Sequence, residues 1–127
     1  MKLQLRHGLL FHSVCIRHKG NELEINDILI DTGSASTVIS IDALSSIGIQ
    51  PKPDDIIRTI RGVGGTEAVF SRKMDYIQVD NRKIEGFEIE IAGMDYGFDI
   101  NGVLGTNFLI PSGAILNLRN LSIDYID

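Results

Sequence analysis

The chain has 127 residues, 43 % of them hydrophobic and 23 % charged, which suits one compact folded domain over residues 1–127 and excludes a disordered chain. Its net charge of −5, with no Lys/Arg cluster beside an aromatic platform, argues against a nucleic-acid partner. Cys15 is the single cysteine, so no intrachain disulfide can form, and no apolar run approaches the ~18 residues of a membrane span.

The first segment, "MKLQLRHGLLFHSV", lacks an uninterrupted apolar stretch and does not read as a signal peptide, so the default expectation is a cytoplasmic protein. "LLFHSVCIRH", residues 9 to 18, reads as a strand and "KGN" as a turn. "ELEINDILI" follows, alternating Leu23 and Ile25 with Glu24 and Asn26. Its last three residues, Ile28, Leu29 and Ile30, are apolar on both faces, as in a strand covered on both sides. "DALSSIG", residues 42 to 48, is expected to be a short helix capped by Asp42 and ended by Gly48. "PKPDD" is a loop. "IIRTIRGVGGTEAVFSRKMDYIQVD" holds two strand-like arms around the turn Gly62-Val63-Gly64-Gly65. "KIEGFEIEIAG" alternates Phe87, Ile89 and Ile91 with Glu88 and Glu90. "NGVLGTNFLI" reads as a short apolar strand, a glycine and a helical turn capped by Thr106 and stopped by Pro111. "AILNL" and "LSIDYI" form a closing hairpin around Arg119-Asn120. There is no linker, low-complexity tract or tandem repeat, and Val, Ile, Thr and Gly dominate, so the chain reads as mainly β with one or two short helices.

The stretch with chemical content is "ILIDTGSASTVIS", residues 28 to 40. It carries Asp31 out of a buried strand into a Thr-Gly-Ser turn. A carboxylate leaving an apolar strand is costly unless it is hydrogen-bonded or paired. Gly33 lets the backbone turn closely beside Asp31, and Thr32 and Ser34 supply hydroxyls. One aspartate cannot act as general base and general acid at once, whereas two carboxylates sharing a proton can. On the four residues alone, an ordinary β-turn is the better reading.

Taken with its surroundings, the segment resembles the active-site loop of aspartic proteases. "IRGVGG", residues 60 to 65, resembles the glycine-rich flap of the single-lobe retropepsins, and "GVLGTNFL", residues 102 to 109, resembles the segment that crosses behind their active-site loop. The three motifs stand in the order of that family, and the resemblance spans about residues 9 to 126. It implies an all-β acid protease fold, a closed barrel with one or two short helices. It also implies peptide-bond hydrolysis without metal or cofactor, on a peptide or protein substrate. With one Asp-Thr-Gly and no repeat, the chain would obtain its second aspartate from another copy, as a twofold homodimer. By the resemblance, Asp31 activates the lytic water, Thr32 bonds across the axis, and Gly33 accepts from the substrate backbone. Ser34 bonds the carboxylate and, with Ala35, lines the substrate site. Gly62, Val63, Gly64 and Gly65 form a lid, and Val103, Leu104 and Gly105 pack behind the loop.

The sequence departs from the retroviral pattern at linked positions. Ala35 and Ser36 stand where those enzymes usually carry acids, and Thr106 stands where they carry the arginine that pairs with one of them. Losing both partners leaves no orphan charge and points to the cellular and bacterial retropepsin-like type. Arg61 replaces a common flap glycine. "LQLRHGLL" and "LSIDYID" could build a dimer sheet from interleaved termini, or the closing hairpin could block one.

Other clusters carry less. On one strand His12 and His18 share a face but lie roughly 20 Å apart at ~3.3 Å per residue, with Cys15 on the other side, so they read as partly exposed histidines and not as zinc ligands. "GVGGTE" lacks the Lys-Ser/Thr of a phosphate loop, and "TGSAS" is not a nucleophile elbow. Asp54, Asp55, Asp95 and Asp99 read as solvated loop acids. The chief alternative to a protease is the same fold without catalysis, holding a peptide or serving in assembly.

Overall fold

The structure is a computed structural model describing residues 1–62, 65–94 and 99–126. In chain order the elements are β1 (Gln4–Arg6), β2 (Leu9–His18), β3 (Asn21–Ile30), β4 (Val38–Ser40) and a 3-10 helix (Asp42–Ile47). Then come β5 (Arg58–Gly62), β6 (Gly65–Lys73), β7 (Tyr76–Val79), β8 (Arg82–Glu85) and β9 (Glu88–Ala92). The chain finishes with β10 (Gly102–Leu104), α1 (Thr106–Ser112), β11 (Ala114–Asn117) and β12 (Ser122–Tyr125).

Ten strands make one sheet in the order β5-β6-β9-β4-β10-β3-β2-β7-β8, with β1 added on β2, while β11 and β12 pair with each other. Among the described residues the chain is thus mainly β with two short helices. The expected closed barrel appears as an open path, since β5 and β8 are not paired with each other among the described residues.

The bounds of β2 match the expected residues 9 to 18. In β3 the simple alternation fails, because Ile25 and Ile28 are both buried although three positions apart. The cause is a bulge. His12 pairs with Ile28 and Val14 with Ile25, so β3 carries one more residue than β2 over that span. Asp27 absorbs it with φ 61°, held by Arg6, whose Nη1 donates to the Asp27 carboxylate at 2.7 Å.

The core gathers Phe11, Ile16, Ile28, Ile39, Leu104 and Phe108, all essentially inaccessible. Burying each such side chain contributes about 1.5–3 kcal/mol. Phe87 meets Phe108 edge to face at 6.2 Å.

Four local expectations are corrected. Ile41, not Asp42, is the N-cap of the 3-10 helix, and Asp42 stands in its first turn, while Gly48 ends it at φ 75° as expected. Thr106 does not cap α1, whose N-cap is Gly105. Pro111 lies inside α1, which runs on to Ser112 and is closed by Gly113 at φ 72°. Asp55 is not a solvated acid, because Arg72 grips it with both Nη atoms, at 2.5 and 2.7 Å.

The two end segments fold within the chain. β1 pairs antiparallel with β2. Residues 1–3 run beside β12, with Leu3 N–H donating to Leu121 O at 2.8 Å and Ile123 N–H to Met1 O at 2.9 Å. The closing hairpin falls where the sequence places it, with Ala114 opposite Tyr125 and Asn117 opposite Ser122.

Candidate active site

Asp31 leaves β3 at the point where β10 lies between β3 and β4. β10 runs parallel to β3, with Leu104 beside Ile30, and antiparallel to β4, with Val103 beside Val38. The loop 31–37 therefore arches over the end of β10. Gly102 makes this insertion possible: a Cβ there would stand 2.6 Å from Val38 O and 2.9 Å from the Cδ1 atoms of Ile28 and Ile39.

The loop is tied down from several directions. Asp31 N–H donates to Leu104 O at 3.0 Å. Ser34 O accepts from Thr106 N–H at 2.8 Å and from the Thr106 hydroxyl at 3.2 Å. Thr37 is wholly buried; its hydroxyl donates to Asn107 Oδ1 at 2.7 Å and accepts from Gly105 N–H at 3.2 Å. Gly105 touches the loop backbone, and a Cβ there would fall 2.2 Å from Ser36 O.

The result is a carboxylate presented outward on a fixed turn. Asp31 is half-buried, and Thr32, Gly33 and Ala35 are exposed. Asp31 Oδ1 accepts from Gly33 N–H at 2.8 Å, and a Cβ at Gly33 would press on that oxygen at 3.1 Å. The Ser34 hydroxyl, expected on the carboxylate, donates instead to Ser36 O at 2.7 Å. It shapes the turn, and the carboxylate receives its hydrogen bond from the backbone. Two cavities, of ≈ 560 and ≈ 300 Å³, are lined by residues outside this loop.

The glycine-rich segment is a hairpin. β5 and β6 pair from Arg58 opposite Val69 to Gly62 opposite Gly65. Val63 and Gly64, expected at the tip, lie outside the described residues, as does Asp95. Charged groups hold the root of this hairpin. Arg58 Nη2 donates to Ser71 Oγ at 2.6 Å and to the Glu90 carboxylate, which also accepts from Ser71 Oγ at 2.8 Å. Glu90 N–H in turn donates to Thr37 O, so one residue touches both the hairpin root and the active-site loop. On the other arm Arg72 holds Asp55, and these hydrogen bonds, with one from Lys52 N–H, lower the Asp55 carboxyl to about 2. The sequence reading missed Thr37, Glu90 and the Asp55–Arg72 pair. The available signal was a Thr before an apolar strand; Glu90 stands on the polar side of the β9 alternation and carried none.

Elsewhere His12 is not a loosely exposed strand residue: its Nε2 lies 2.8 Å from Asp80 Oδ1, with both side chains largely buried. Among the described residues no three His, Cys, Asp or Glu side chains are grouped to hold a metal ion, and no helix is long and apolar enough to cross a membrane.

A single lobe with an Asp-Thr-Gly loop arched over an inserted strand defines the retropepsin-like class of fold. Comparison with solved structures agrees. EIAV protease complexed with the inhibitor HBY-793 matches with a TM-score of 0.61 and 23 % identity, over 88 % of this chain and 95 % of that one. A retropepsin-like aspartic protease from Rickettsia conorii matches with a TM-score of 0.66 and 13 % identity, over 94 % and 92 %. No curated protein matches the sequence. The aspartyl protease family model matches residues 14–108, three quarters of the chain, and the chain belongs to that family. Family and fold together support an aspartic peptidase.

Proposed function

We propose that the chain is an aspartic endopeptidase whose active unit is a homodimer, with one Asp31 from each copy at the twofold axis. The observation that carries this reading is the outward-facing Asp31 on a loop immobilised from behind, with Thr32 and Gly33 exposed beside it. Among the described residues of one copy, the Asp31 carboxylate is bonded by Gly33 N–H and by no second carboxylate. Two such groups brought together share one proton, so that one titrates low and the other high. The ionised aspartate takes a proton from water as its oxygen attacks the peptide carbonyl carbon, and the protonated one donates to the carbonyl oxygen. The resulting tetrahedral diol then breaks its C–N bond, with a proton passing to the leaving nitrogen.

The interface follows from which surfaces remain free. Residues 1–3 and β1 are paired inside their own chain, on β12 and β2, which argues against a sheet of interleaved first and last segments. The outer edge of β11 carries no paired strand among the described residues. Ile110, Ile115, Leu118 and Ile126 are exposed on α1 and the closing hairpin, which follow directly from Gly105 behind the loop. A second copy covering this surface brings the two Asp31 loops together. The β5–β6 hairpin, with Gly62 and Gly65 next to its tip, serves as the lid, and the substrate lies between it and residues Gly33, Ser34 and Ala35.

Asp31→Asn is expected to leave the fold and the dimer intact and to abolish cleavage in a screen of unstructured peptides from acidic to neutral pH. A pepstatin-like transition-state mimic serves as control. Undiminished turnover in that variant would remove Asp31 from the mechanism. Specific activity of the unmodified protein should fall on dilution, in step with the dimer fraction from light scattering. The alternative, a groove that binds peptides without cutting them, predicts peptide binding with no hydrolysis at any pH.

A further inference from the structure

We propose that Glu90 is a positioning residue whose side chain fixes where the β5–β6 hairpin pivots. Resting as it does on the lid role proposed for that hairpin, this makes Glu90 the residue that governs how tightly an extended peptide is held, apart from the chemistry at Asp31.

Among the described residues Glu90 is the only charged residue that is buried as a whole, at 9 % exposure. A carboxylate keeps such a place only when its oxygens are paired. Here Oε1 accepts from Arg58 Nη2 and Oε2 from Ser71 Oγ at 2.8 Å, while Arg58 Nη2 also donates to Ser71 Oγ at 2.6 Å. The three side chains come from three strands, β5, β6 and β9. In the sheet β5 pairs with β6 alone, and β6 pairs with β9 only from Phe70 to Lys73. Arg58 lies opposite Val69, the first residue past that ladder. The Glu90 carboxylate therefore carries hydrogen bonding across β6 to β5, one step beyond the point where the β6–β9 pairing stops.

The main chain of the same residue serves the other partner. Glu90 N–H donates to Thr37 O at 2.9 Å, and Val38 stands beside Glu90 in the parallel β4–β9 pair. Changing the side chain leaves that bond in place, so the hold on the hairpin can be separated from the hold on the Asp31 loop. Beyond the Arg58–Val69 pair, half-buried Ile60 packs on Val38, Val69 and Ala92. With the carboxylate present the hairpin pivots at the Arg58–Val69 pair. Without it the pivot retreats to the β6–β9 ladder, and the cover loses its fixed resting place. A cover that must be ordered anew at each encounter binds peptide more weakly.

The test follows cleavage of one unstructured peptide and amide exchange of the full chain, in the parent, Glu90→Ala, Glu90→Gln and Ser71→Ala. Glu90→Ala should raise KM about tenfold, the scale of one charged hydrogen bond, and leave kcat within about twofold. Glu90→Gln, which still accepts from Arg58, should recover most of the loss, and Ser71→Ala should show a smaller rise in KM with the fold undisturbed. Amides of Thr59, Ile60, Val69 and Phe70 should exchange faster in Glu90→Ala, with those of Asp31, Gly105 and Thr106 unchanged. A residue that merely supports the fold would instead quicken exchange in both regions and lower kcat, and either result overturns the proposal. If the parent cleaves no peptide, the peptidase reading fails, and exchange alone then decides the role of Glu90: unchanged rates in β5 and β6 of Glu90→Ala would remove it.

Discussion

The Asp31 loop and the β5–β6 hairpin, which the proposed mechanism brings to one reaction, are held in different ways. Residues 31–37 are fixed along their length by hydrogen bonds to Leu104 O and Asn107 Oδ1 and from the Gly105 and Thr106 N–H groups, with glycines where the backbones touch. The hairpin is clamped at its root, by Arg58 with Glu90 and by Arg72 with Asp55; beyond Thr59 and Ala68 its arms pair with each other, and Ile60 packs on the cluster of Val38, Val69 and Ala92. A loop that must hold a carboxylate still is built from backbone contact in the interior. For a cover that opens, as the proposed mechanism requires of the hairpin, clamps at the root and a lightly packed arm serve better.

The contrast can be broken most severely at Gly105. Gly105→Ala drives a methyl into Ser36 O and should lower stability by about 3 kcal/mol or more in urea titrations, with loss of any cleavage. Thr37→Val keeps the shape but strips the buried Gly105 N–H of its acceptor, for a loss of about 1–3 kcal/mol by the same measurement. Arg58→Met addresses the other side. Its guanidinium is half-exposed, so the global loss should be only about 1 kcal/mol, yet amide exchange in β5 and β6 should accelerate while that of residues 31–37 stays unchanged. Equal acceleration in both regions would refute the division drawn here. The smallest effect belongs to Asp55→Asn. The Asp55 carboxyl is lowered in the folded state to about 2, so its stabilisation is fully present above about pH 4 and fades as the pH falls through 2. The stability curves of the parent and this variant should therefore run apart above pH 4 and converge toward pH 2.

Much of this was legible in order along the chain. Strand limits such as Leu9–His18 follow from local alternation, and the Asp-Thr-Gly turn, the glycine hairpin and the Gly105 segment each carry their own signature. What stayed hidden depends on who arrives from elsewhere. Asp55 looks like any loop acid until the hairpin brings Arg72, 17 residues on, against it. Thr106 looks like a helix cap until Ser34 O comes within 3.2 Å and claims its hydroxyl. Ser34 was expected to serve the carboxylate, but the turn bends its hydroxyl toward Ser36 O. The Ile25–Ile28 spacing breaks a period of two for a reason that only the neighbouring strand supplies.

That bulge has a consequence for how the molecule can change length. Elsewhere in β3, dropping or adding one residue swaps inward for outward from that point on, and aims Asp31 into the wrong half of space. At Asp27 the surplus residue already stands outside the alternation, so its deletion would keep Ile28, Ile30 and Asp31 facing as they do. The strand thus has one slack link, just upstream of its most demanding residue. Libraries of single-residue deletions should find survivors there before anywhere else in the strand.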